Sequence, residues 1–179
     1  IEVACGALLS ELVRQAGGST EAIQAFLIGG YGGAWLPAET VRNAPLCESA
    51  LRGLGGTMGA AVILALPADA CGITETARIA SYLADETAGQ CGPCANGLPA
   101  LSQGLNDLAR GTVRRDVVER LKAWVWQVSE RGACHHPDGV ARLVTSALRT
   151  FSADVDAHAK RRPCAAARRT NSSARALSR

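Results

Sequence analysis

No apolar run in these 179 residues approaches the roughly 20 residues that a membrane-crossing helix needs. The longest, MGAAVILALP at 58–67, excludes a helical span, and direct membrane insertion is not expected. The opening stretch, IEVACGALLSELV, lacks an initiating Met and a basic segment and carries Glu2 and Glu11 inside its apolar residues. It therefore reads against a signal peptide and as a chain whose beginning is missing. Acidic residues are lacking after Asp156, whereas residues 160–179 hold seven of the nineteen basic ones. Twelve basic and sixteen acidic residues are left in the body, which is acidic, so nucleic acid is not an expected partner. The basic tail, 161–179, has Leu177 as its one large apolar residue and is expected to be a disordered, solvated terminus.

An even cysteine count is lacking too. Seven cysteines in a chain too long to need a disulfide framework favour a reducing compartment, the cytoplasm, with cysteine used as ligand or as small buried residue. The glycine stretches GGYGG (29–33) and GLGGTMG (53–59) match neither the Walker nor the dinucleotide fingerprint. Phosphate binding needs a helix N-terminus after the glycines, so both are read as tight turns beside a sheet.

The composition, 47% hydrophobic and 20% charged, suits a globular core. Residues 1–70 alternate short elements with glycine. Leu8, Leu9, Leu12 and Val13 share one helical face that stops at Gly17 and Gly18, EAIQAFLIGGYGGAW reads as a strand entering a loop, and GAAVILALP as a buried strand ended by proline. From Thr74 the period turns helical. Ile73, Ala77, Ala80 and Leu83 mark a first helix, and Leu98, Leu101, Leu105 and Leu108 a second. Val117, Val118, Leu121, Trp124, Val125 and Val128 mark a third, with Trp124 in the core stripe. Val140, Leu143, Val144, Ala147, Leu148, Phe151 and Val155 mark a fourth. The fold class expected is α+β: a small mixed unit, then an all-α four-helix bundle over 71–160.

Cys91 and Cys94 lie in the connection between the first and second helices, and Cys134 in ERGACHHPDG, between the third and fourth. In an up-down bundle both connections are at one end, so three thiols can converge. A thioredoxin-like dithiol is disfavoured because helix and loop, not a buried strand, precede CGPC. Zinc on Cys91, Cys94, Cys134 and either His135 or His136 satisfies a tetrahedral Cys3His set. An iron-sulfur cluster also draws thiolates from a short loop and a distant segment, with Gly89 and Gly92 able to bring backbone amides close. Inert cysteines are the remaining alternative. Cys5, Cys47 and Cys71 are read as packing.

ADETAGQCGPCANG, SERGACHHPDGVARLVTSALRTFSADVDAH and KRRPC resemble the C-terminal part of the NADH-binding flavoprotein of NADH:quinone oxidoreductase, complex I. LLSELVRQAGGSTEAIQAFLIGGYGGAW and GLGGTMGAAVILALP resemble its soluble-ligand-binding (SLBB) β-grasp domain, here without its first strands. The similarity covers about residues 6–163. It implies a [4Fe-4S] cluster on a four-helix bundle, with Cys91, Cys94 and Cys134 on the second, third and fourth ligand positions. Ala88 stands at the first, and Ala95 replaces an arginine of the motif. The open corner leaves Glu86, His135, His136, Cys164 in the tail, or water as fourth ligand, a three-iron cluster, or zinc. The resemblance implies FMN and NADH sites only on an upstream domain, so NADH oxidation by this chain alone is not expected. It also implies a thioredoxin-like ferredoxin as redox partner, peripheral to a membrane complex.

Overall fold

The computed structural model describes residues 1–18, 22–112 and 116–168, and it divides the chain into two compact units, Ile1–Ala68 and Asp69–Arg179. The architecture is α+β. Among the described residues no helix is long and apolar enough to cross a membrane.

In the first unit, helix α1 (Leu9–Gln15) ends in a Schellman turn. Gly17 adopts φ +79°, a conformation that costs a residue without Cβ little, and its N–H and that of Gly18 donate to the carbonyls of Arg14 and Val13. Strands β1 (Ile23–Ile28), β2 (Ala34–Pro37) and β3 (Ile63–Pro67) form an antiparallel sheet in the order β2-β1-β3. Phe26 on the central strand stands opposite Leu36 on one side and Ala65 on the other. Leu9, Phe26, Ile28, Leu36, Val41 and Leu51 make the core, with short helices α2 (Ala38–Val41) and α3 (Glu48–Gly53) contributing the last two. Each such side chain contributes about 1.5–3 kcal/mol on burial.

The strand expected to be buried, 59–67, is an edge strand that starts only at Ile63 and buries Leu66 alone. Its continuous apolar run cannot be told from a central strand by periodicity. The two glycine stretches are turns that lean on each other. Gly29 and Gly30 both donate to the carbonyl of Val62, and each stretch runs into a strand, not a helix.

The second unit is helical: α4 (Gly72–Asp85), α5 (Leu98–Arg110), α6 (Val117–Val128), α7 (His136–Thr150) and α8 (Ser152–Ala159). Helix α4 packs on α5 and α7, and α6 packs on the same two, so the four longer helices form a ring of neighbours. Leu98, Leu101, Leu105 and Leu108 are all fully buried at its centre. A polar bridge of Ser81, Ser102 and Asn106 ties α4 to α5, with Asn106 Nδ2 donating to Ser81 Oγ at 2.9 Å.

Three expectations are corrected here. The fourth helix is two helices, because the backbone leaves the helical region at Phe151 (ψ 31°), whose ring lies against Gly72 at the start of α4. Thr150, Phe151 and Ser152 are weak helix formers, so tertiary packing of the ring decides the break. Trp124 is half-buried rather than core, its ring covered by the Arg120 guanidinium at 4.7 Å. Residues 161–168 are an ordered part of the second unit: Cys164 and Ala166 are buried, and the Ala165 N–H donates to Asp154 Oδ1 at 3.0 Å. Residues 169–179 lie outside the described ones.

Candidate metal centre

CGPC is not simply a loop between helices. Pro93 fixes a helical φ at the start of a π-helical turn, Pro93–Gly97, that runs straight into α5. The wider turn closes i to i+5, with the Leu98 N–H on the Pro93 carbonyl, and such turns recur at functional sites. Cys91 precedes the turn and is half-exposed, and Cys94 within it is 5% exposed.

One backbone donor from each connection reaches Cys91. The backbone N–H of Ala133 and that of Cys94 donate to its sulfur and lower its thiol pKa. Burial pushes the Cys94 thiol up, and its S–H donates to the Cys91 sulfur, while the Thr87 hydroxyl also reaches it. Cys134, exposed, lies close enough for its charge to act on Cys94. The two connections thus face each other through Cys91 and Ala133, and Cys134 is near enough to Cys94 to influence it. No strand precedes CGPC in this unit among the described residues, so the central strand of a thioredoxin-like site has no counterpart.

The metal-free protein should reveal the asymmetry of the pair. Cys91 is expected to keep its thiolate, and its fast reaction with iodoacetamide, to lower pH than an unfolded-chain cysteine, because ordinary thiols protonate first as pH falls. Alkylation followed residue by residue by mass spectrometry checks this. A pH profile for Cys91 that coincides with that of the same cysteine in the urea-unfolded chain would contradict it.

The Cys134 loop is shaped by residues that carry no motif of their own. Asp138, in the first turn of α7, accepts the Glu130 N–H at 2.7 Å, and Glu130 itself adopts φ +60°. A Cβ on Gly132 would come within 2.7 Å of the Cys134 carbonyl oxygen and 2.8 Å of Pro137. Gly132→Ala should therefore displace the loop and cost about 1–3 kcal/mol, as overpacking does. A urea-denaturation midpoint equal to that of the unsubstituted chain would show that the loop yields freely.

The two histidines part company. His136 Nε2–H donates to the Leu83 carbonyl at 2.9 Å, which fastens α7 to the end of α4. His135 is fully exposed, 3.4 Å from Asp138. At Ala88 the backbone is exposed in an irregular loop, its carbonyl accepting from Gln90 Nε2 at 3.1 Å, with Gly89 at φ +65°. No atom would meet a Cβ added at Gly89 or Gly92, so both backbones are open to close approach.

The remaining cysteines correct the packing reading. Cys5 is exposed, and the Cys47 thiol lies 3.4 Å from Ser49 Oγ. Cys71 sits 3.3 Å from His158 Nε2, beside Cys164. Cys164, expected in a mobile tail, is buried there instead and so is removed from the fourth-ligand candidates.

Residues 74–158, which contain all three converging thiols, match the NADH-ubiquinone oxidoreductase-F iron-sulfur binding region. The chain resembles the C-terminal part of the NADH-quinone oxidoreductase flavoprotein. It is 27% identical to the NADP-reducing hydrogenase subunit HndC of Solidesulfovibrio fructosivorans over 93% of its own length and 34% of that protein's. It is 26% identical to the NADH-quinone oxidoreductase F 2 subunit of Rhizobium meliloti (strain 1021), over 91% of this chain and 39% of the relative. The chain thus spans little more than a third of the curated oxidoreductase and hydrogenase relatives it matches. Its fold is shared with the crystal structure of an NAD+-reducing [NiFe]-hydrogenase in the H2-reduced state: TM-score 0.74, 20% identity, over 86% of this chain and 26% of that one.

Proposed function

We propose that Cys91, Cys94 and Cys134 hold an iron-sulfur cluster and that the chain is the electron-transfer module of an NADH dehydrogenase-like enzyme, related to the complex I flavoprotein. The convergence of three thiols inside the stretch that matches the oxidoreductase iron-sulfur binding region carries this reading. The donor set suits the group: soft sulfur ligands, with a hydroxyl and backbone N–H groups directed at them. A cluster supplies one-electron relay. The chain's own residues supply the rest. Cys94 anchors from a buried helical turn, Cys91 is held as thiolate by amide donors, Thr87 donates to sulfur, and no side chain acts as acid, base or nucleophile.

The match to the iron-sulfur binding region favours a cluster over a single zinc ion. By the resemblance, Ala88 stands where the remaining ligand would be. With His136 engaged by Leu83 and Cys164 buried beside Cys71, that position falls to water, Glu86 or His135, or the cluster has three irons.

In this reading the ring of α4 to α7 is the cluster-bearing four-helix bundle and the sheet unit a partial SLBB β-grasp. Flavin and nicotinamide belong to protein outside these residues. A thioredoxin-like ferredoxin is the redox partner, and the location is cytoplasmic at the edge of a membrane complex. The test is anaerobic purification of the chain with iron, acid-labile sulfide and zinc assayed on one sample. Three or four irons with four acid-labile sulfides per chain are expected. Zinc alone would establish the rival, a zinc-stapled interaction module, and no metal at all a cluster-free one.

A further inference from the structure

Away from the three converging thiols, the second unit gathers another set of soft ligands. Cys71 occupies the N-cap position of α4, His158 lies in the last turn of α8, and Cys164 follows shortly after it in sequence. The two sulfurs and a ring nitrogen all lie within 4.8 Å of one another, Cys164 buried and the other two half-buried. We propose that Cys71, His158 and Cys164 form a second metal site that takes one zinc-like divalent ion, with water in the fourth position.

The geometry suits one ion rather than a cluster. Zn–S near 2.3 Å and Zn–N near 2.0–2.1 Å in a tetrahedron put sulfur and nitrogen roughly 3.5 Å apart, and Cys71 Sγ stands 3.3 Å from His158 Nε2. The ligand types are those zinc accepts, and His158 and Cys164 form a close pair in sequence complemented by a distant Cys71. The set is also held in place from outside. Asp154, 6% exposed, accepts the Ala165 N–H and so fixes the segment that carries Cys164. It sits one turn before His158 on α8, and its charge acts on that ring, as carboxylates beside ligating histidines do.

Burial raises the Cys71 thiol and lowers the His158 imidazole, which favours the neutral form of each. Coordination exchanges the S–H protons of the two cysteines for the ion and releases them to solvent, so affinity rises with pH. A bound ion would staple residues 161–168 to the start of α4, closing the helical unit at the end remote in sequence from the CGPC turn.

The experiment uses the full chain with Cys91, Cys94 and Cys134 all changed to serine, so that only the second site can bind, titrated anaerobically with Co2+. One equivalent with thiolate-to-cobalt charge-transfer absorption, displaced by Zn2+, is expected, and Cys164→Ser or His158→Ala should weaken it ~10- to 100-fold with helical circular dichroism retained. A second measurement needs no variant. In the unsubstituted chain, Zn2+ should slow alkylation of Cys71 and Cys164, read by peptide mass spectrometry, and leave Cys5 unchanged. The proposal is overturned by absence of charge-transfer absorption, by equal binding in Cys164→Ser, by unprotected Cys164, or by a Cys71–Cys164 disulfide that persists in the protein as isolated.

Discussion

Cys94→Ser is expected to abolish iron and sulfide binding while Cys71→Ser leaves both at the level of the unsubstituted chain. Cys94 is the best site for the contrast because it is the buried member of the trio and sits inside the rigid turn that leads into α5. Serine fits the space, and the Thr87 hydroxyl that faces the sulfur remains as a partner, so leaving one polar group in a small buried volume costs no more than about 1–3 kcal/mol. The fold therefore survives while a soft anionic ligand is replaced by a hard neutral one, which iron in a thiolate cluster does not accept in exchange. Iron, sulfide and visible absorption are the readouts, with circular dichroism confirming retained helix. Iron retained in Cys94→Ser would mean the three thiols are inert neighbours. Iron lost equally in Cys71→Ser would place the cluster on the other cysteine set. Either result ends the electron-transfer role assigned to Cys91, Cys94 and Cys134.

The helical half was legible because amphipathic periodicity dictates burial directly: all four leucines of 98–108 are fully buried. The expectation that the two cysteine connections converge came from counting helices between them, since each antiparallel helix returns the chain to the same end. What the sequence hid were effects of tertiary contact. The edge position of 63–67 depends on sheet order, which an apolar run does not encode. The break at Phe151 depends on where its ring packs. The order in residues 161–168 depends on one buried carboxylate, Asp154, whose partner is eleven residues away. A charged stretch with three basic residues in a row reads as solvated by composition, and nothing local announces Cys164 as buried. Thr87 and Asp138 were missed for the same reason. Each is an ordinary polar residue whose importance comes from the atom it faces, and the only local signal was proximity to a cysteine.

The departure at position 88 makes the sharpest experiment. Thr87 reaches the Cys94 thiol, so the next residue stands at the rim of the same site, in an exposed loop whose φ +65° is taken by Gly89 and not by Ala88 itself. A cysteine at 88 meets no strained backbone and displaces no buried side chain. Ala88→Cys is therefore expected to complete a four-thiolate set. Iron should rise to four per chain with four sulfides, and loss of the cluster in air should slow by roughly tenfold or more, in line with what single ligand-shell changes do to metal affinity. If the unsubstituted chain carries three irons, electron paramagnetic resonance should convert from an oxidised three-iron signal to one seen only on reduction. If it carries four with water on the open corner, the iron count stays and only the air sensitivity changes. A variant indistinguishable from the unsubstituted chain in both respects would show that the open corner does not lie at residue 88, and the fourth ligand would then have to be sought at Glu86 or His135.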